Sequence, residues 1–197
     1  MDTFAYTLVA APAGLVISDA QMEIHARAVG QPSAQYSPYI AASQGFVERL
    51  TARKLVSQTW KWFLNDWPCS DRLIVPFGQL TSVTHVKYTD SADVQTTLAA
   101  TDYAVSVARD PGVLALKYEK LWPTATLRTL DPIEIQFVCG WATAGAVPSD
   151  IQSAILLLAA HLYEHREAVV LGNTSSVDSK ALAFGVDALL VNWRLHL

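Results

Sequence analysis

The chain has 197 residues, 51% of them hydrophobic and 16% charged, with a net charge of −4. The charged share lies below the roughly 25% usual for soluble proteins, so the chain can bury a core, is not disordered, and keeps apolar surface for partner subunits. Lys and Arg total 14 without a basic run, which argues against a dedicated DNA-gripping module, because such binding needs many phosphate-neutralising cations.

In chain order, residues 1–17 read as an extended arm, small and apolar, with Pro12 and Gly14. No charged stretch followed by a long apolar one marks a signal peptide. A first helix starts at Ser18, with Gln21 placed for a capping box, Ile17 and Met22 placed for a hydrophobic staple, and Gly30 as its stop. Ser37 then caps a second helix, with Pro38 at its first position. Ile40, Val47, Leu50 and Lys54 share one side of that helix, Phe46 extends it, and Glu48, Arg49, Arg53 and Lys54 form the wet edge.

From Leu55 the period changes to two. Val56, Gln58, Trp60, Trp62 and Leu64 share one face of a strand that Trp67-Pro68 breaks. Short strands follow at Leu73–Pro76 (an edge, because proline ends it), Val83–Tyr88, Val94–Leu98, Tyr103–Val107 and Val113–Lys117. Asp110-Pro111-Gly112 is a turn between the last two, and Ile133–Cys139 alternates as the final strand.

Pro148-Ser149-Asp150 announces a third helix to about Glu167, with Gln152 three after the serine. Its first turns have almost no polar face, which places it in a core or a subunit interface. Its longest apolar run, Ala154 to Ala160, falls far short of the roughly 20 residues that span a bilayer, so a soluble chain is expected. A loop over 168–180 precedes an amphipathic segment, Val186 to His196, with Leu189, Leu190 and Trp193 on one side.

The fold expected is α+β: a helical domain of about four helices carrying an inserted antiparallel sheet of about six short strands. The arm (1–17) precedes a helical first half (18–54), a β-rich insertion (55–147) and a helical second half (148–197).

Few residues invite chemistry. Cys69 and Cys139 fit neither a disulfide scaffold nor a zinc-finger spacing and read as free thiols. His161, Glu164 and His165 match the H-x-x-E-H pattern, in which two imidazoles one turn apart share a zinc ion and the glutamate activates water. A small zinc-dependent hydrolase is therefore the alternative reading. It lacks a third ligand in a convincing motif, since only Asp178, Asp187 and His196 follow. Trp60, Trp62 and Trp67 suit packing better than base stacking, having only Lys61 as a basic neighbour. Trp193 either anchors in a partner pocket or docks back on the third helix.

Several segments, in order, carry a family resemblance. They are Val47-Glu48, Gln58-Thr59-Trp60, Trp67-Pro68, Leu73-Ile74-Val75-Pro76, Tyr88, Tyr103, Pro111-Gly112, Trp122-Pro123 and Gly140-Trp141. The fullest stretch is Val147-Pro148, Ile151, Ala154 to Leu158, His161 to Glu164 and Arg166-Glu167, and Leu189-Leu190 with Trp193-Arg194 echoes the usual ending. Over residues 18–195 the chain resembles the head–tail connector (adaptor) proteins of tailed phages and phage-like gene transfer agents.

The resemblance implies a structural virion protein, made in the bacterial cytoplasm and located in the neck between head and tail, without enzymatic activity or cofactor. It implies a ring, commonly dodecameric, that joins the portal protein to the stopper or tail-completion protein and lets DNA pass as cargo, with no membrane partner. The interface candidates are Leu189, Leu190, Trp193, Arg194 and Leu195 in the C-terminal segment, and Ile155, Leu158 and Tyr163 on the third helix. Loss of residues 186–197 is expected to spare the fold and weaken portal attachment.

Overall fold

The structure, a computed structural model, describes residues 5–27, 35–165 and 185–195. Gly30, the loop at 168–180, Glu167, Asp178 and His196 lie outside them. The chain forms two compact units, one of Met1–Ala13 with Ser57–Trp141 and one of Gly14–Val56 with Ala142–Leu197. No helix among the described residues is long and apolar enough to cross a membrane.

The first unit is all β. Its strands are β1 (Ala5–Ala10), β2 (Gln58–Leu64), β3 (Arg72–Ile74), β4 (Leu80–Thr89), β5 (Gln95–Thr97), β6 (Tyr103–Ser106), β7 (Val113–Leu116) and β8 (Ile133–Cys139). They make two antiparallel sheets, β1-β2-β8-β4-β5 and β3-β7-β6. The expected single sheet is thus two. The N-terminal stretch supplies one of the strands, with Ala5 to Leu8 paired to Phe63 to Trp60.

β8 sits at the centre of the larger sheet. Its alternation puts Ile133, Ile135, Phe137 and Cys139 on one face, all fully buried. Register carries the row across neighbouring strands, with Trp62, Ile135 and Val86 in line and Trp60, Phe137 and Val83 in line. Leu73, Tyr103 and Leu114 of the smaller sheet belong to the same hydrophobic core. In β4 the pairing slips between Leu80 and Ser82 and again between Val83 and His85. These bulges let Val83 and Val86 join one core row although they are three residues apart, where simple alternation would separate them.

The opposite face of the sheet carries a charged cluster. Glu134 on β8 meets Lys61 Nζ on β2 at 3.0 Å and His85 Nε2 on β4 at 2.9 Å. Burial pushes the Glu134 carboxyl up, but hydrogen bonds from His85 and Lys61, with their charges, outweigh it and hold the carboxyl below its ordinary 4.5.

The second unit is helical: α1 (Asp19–His25), α2 (Ser37–Thr51), α3 (Ser149–Glu164) and α4, helical over 185–190. The Ser18–Gln21 capping box closes the start of α1, and Ile17 and Met22 are buried there. The other two starts differ from expectation. Tyr36 and Pro148 occupy the cap positions, and neither has a side-chain cap bond. Ser37 Oγ instead donates to the Asp19 carboxylate at 3.0 Å, and Gln152 Nε2 donates to the Val147 carbonyl at 2.7 Å. Packing of α3 against α2 and α1 buries Ile151, Ala154, Ile155 and Ala159, a one-sided stripe at helical spacing.

A Cβ on Gly112 would lie 2.5 Å from Leu80 Cβ, whereas one on Gly145 would meet nothing within 4 Å. Gly112→Ala should therefore cost about 1–3 kcal/mol in chemical denaturation, with Gly145→Ala as a near-neutral control. For Glu134 the lowered pKa means that its stabilisation is present above 4.5 and lost as pH falls through the folded value. Glu134→Gln should cost about 1 kcal/mol at neutral pH, and denaturation curves of the two proteins should converge in acid.

Candidate functional site

The chemically suggestive residues of α3 do not make a reactive centre. His161 and His165 stack on each other with ring centroids 4.4 Å apart, and His165 Nδ1 lies 3.2 Å from the His161 carbonyl oxygen. Among the described residues, no three His, Cys, Asp or Glu side chains gather as a metal-holding group. Asp187 is engaged by Arg194 at 2.8 Å. The hydrolase reading gains no support. Cys139 is buried in the β core and Cys69 is exposed, both as free thiols.

The tryptophans of the β unit pack. Trp62 is buried in the core, and Trp60 lies beside Phe77, which in turn meets Tyr6 and Phe137. Trp67 stacks on Trp122 at 4.7 Å, nearly parallel, and Trp122 Nε1 donates to the Ser70 carbonyl. A cleft of about 480 Å³ lies beside this pair, lined by Asn65, Asp66, Leu127 and Arg128 among others. Two of its polar side chains are already engaged: Asn65 accepts from the Asp131 amide, and Arg128 donates to the carbonyls of Leu130 and Asp131.

What remains is surface. The stripe of α3 leaves Leu156, Leu157 and Leu158 half-buried and Leu162 exposed. Phe46 on α2, expected on the inner side, is exposed, as are Ile24 on α1 and Val191. Of the interface candidates on α3, Ile155 is fully buried within its own chain, and Leu158 and Tyr163 are half-buried. Tyr163 packs against Tyr36 and Tyr39 at 5.1 and 5.8 Å.

The C-terminal segment folds back on the end of α2. Val186 and Leu190 are buried, Leu189, Trp193, Arg194 and Leu195 are half-buried, and Val191 and Asn192 are exposed. The Leu195 amide donates to the Thr51 carbonyl at 3.0 Å. Arg53 Nε donates to the Trp193 carbonyl, and the guanidinium stands 5.9 Å from the Trp193 ring. Trp193 is thus held by Arg53, just past the end of α2.

Arg53, expected at a wet edge, is only 4% exposed. The left-handed Ala52 (φ 55°) turns the chain after α2, so helical spacing no longer says where residue 53 points. A basic residue just past a helix end carries no sequence signal for this role. Val186 and Leu190 thus contribute to the core of their unit.

Arg53→Ala should cost about 2–3 kcal/mol, through the lost bond from a charged donor and the lost packing of its stem. Hydrogen exchange at the Leu195 amide should quicken. Unchanged protection there would show that the segment is held by other means.

No protein-family model matches the chain, and no curated protein matches it. Solved structures do. A chain in the neck of an empty gene transfer agent particle, computed with C6 symmetry, shares 27% identity and a TM-score of 0.77, covering 98% of this chain and 96% of that one. A chain in the virion of a native gene transfer agent particle shares 26% identity at TM-score 0.77, with the same coverage. A chain in the neck of a native particle computed with C12 symmetry shares 26% at 0.76, again with 98% and 96% coverage. Across nearly its whole length, therefore, the chain is a structural relative of a component of gene transfer agent particles, two of the matches coming from the particle neck, in agreement with the head–tail connector resemblance of its sequence.

Proposed function

We propose that this protein is a structural connector in the neck of a phage or phage-like particle, and not an enzyme. One observation carries the reading above the others: the likeness to gene transfer agent neck structures spans 98% of the chain. In this reading, copies close into a ring of twelve, the symmetry of one neck reconstruction. The ring joins the portal protein to the stopper or tail-completion protein, and DNA passes through its lumen. A net charge of −4 suits a passage along which DNA slides without sticking.

The division of labour follows from exposure. The half-buried Leu156, Leu157 and Leu158 and the exposed Leu162 give α3 apolar area for a neighbouring copy. Leu189, Trp193, Arg194 and Leu195, half-buried at the chain's end, form the portal-docking surface. Ile155 and Leu190, fully buried, hold those surfaces in place from within.

Deleting the gene for this chain should leave DNA-filled heads and separate tails in electron micrographs of the producing cells, and supplying the chain in trans should restore joined particles. Joined, transfer-competent particles in its absence would rule the connector role out.

A further inference from the structure

Among the described residues, no further strand pairs with either edge of the larger sheet, and the two edges are unlike one another. β1 ends it on one side and β5 on the other. Edge strands offer unpaired backbone groups to any passing strand, and proteins normally guard them with charge, proline or bulges. Here the guard is thin. No charged residue lies between positions 3 and 18, or between 94 and 101. β1 carries only the register shift at Val9, and β5 is protected only by its brevity. Leu8, Val9 and Val94 are 43%, 49% and 56% exposed, and Gln95, Thr96 and Thr97 are all exposed. The smaller sheet is different: its edge strand β3 contains Arg72, and β6 lies between Asp102 and Arg109.

A closed ring is a head-to-tail assembly in which each copy needs two different faces, one meeting the other on the next copy. Two uncharged, dissimilar edges at opposite ends of one sheet meet that requirement. Resting on the ring reading above, we infer that β1 of one copy pairs with β5 of the next, so that the larger sheet continues across the subunit boundary. Main-chain bonds supply the attachment, and Thr96 and Thr97 supply β-branched partners for cross-strand contact. The occupant of each edge is a second copy of this chain, because the related necks are symmetric assemblies.

The test uses the full chain, alone and with isolated portal rings, followed by native mass spectrometry over a concentration series. Val9→Lys and Thr96→Glu each place one charge on an exposed edge position. Circular dichroism should show both variants folded as wild type. Each alone should raise the concentration needed for assembly by about tenfold or more, because a lone charge is desolvated at the seam. The double variant in one chain should assemble close to wild type, because every seam then holds an opposite-charge pair.

Single variants that assemble like wild type, or a double variant no better than either single, would overturn the strand pairing and leave the ring intact. A wild-type chain that stays monomeric even with portal rings would overturn the ring reading and the pairing with it. If a single variant fails to fold, hydrogen exchange on wild-type rings decides: β1 and β5 amides should slow on assembly, and unchanged rates would refute the pairing.

Discussion

Strand β8 is the constraint on which the β unit depends. It is paired on both sides, to β2 and to β4, and every second side chain from Ile133 to Cys139 is fully buried. A slip of one residue would turn that row to solvent and bring Glu134, Gln136 and Val138 inward, so its register is strongly specified. Once it is set, Trp62 and Val86 fall in line on the core face, and Lys61 and His85 converge on Glu134 on the other. The same order sends β1 and β5 to the two rims, where among the described residues no further strand pairs with them.

The helical unit is organised around buried polar groups at the end of α2. Gln44 accepts from the Val16 amide, and Glu48 accepts from the Leu55 amide and pairs with Lys54. Arg53 fastens the C-terminal segment. Groups that could have done chemistry are thereby committed to structure, as is the His161–His165 stack. The excess apolar character of the chain divides between a buried stripe on α3 and leucines of the same helix left half-buried or exposed. That division is what an assembling subunit requires, because a surface that must later be covered cannot be fully covered at home.

Much of this was legible in the sequence where the signal is local. The α1 capping box needs four adjacent residues, and the β8 alternation needs seven, so both can be read without a partner. The rest depends on distant partners. Nothing in Ala5–Ala10 announces that β2, some fifty residues on, will pair with it. The β4 bulges have no residue signature, so Val83 and Val86 look like opposite faces. Ser37 and Ser149 read as caps, but Ser37 spends its hydroxyl on Asp19 and the turns before both helices are closed by other residues. Arg53 has the spacing of a solvated position only if α2 continues, and the left-handed Ala52 ends that helix just before it. The kinship with virion necks came from the order of short motifs along the chain, since composition alone allows many partnered proteins.

The most direct measurement is a cryo-electron reconstruction of the particle that carries this chain. The account predicts continuous density for it as a closed ring in the neck, with both units fitted as described and DNA or an open channel along the axis. Density for the chain elsewhere in the particle, or a neck fully explained by other proteins, would contradict it.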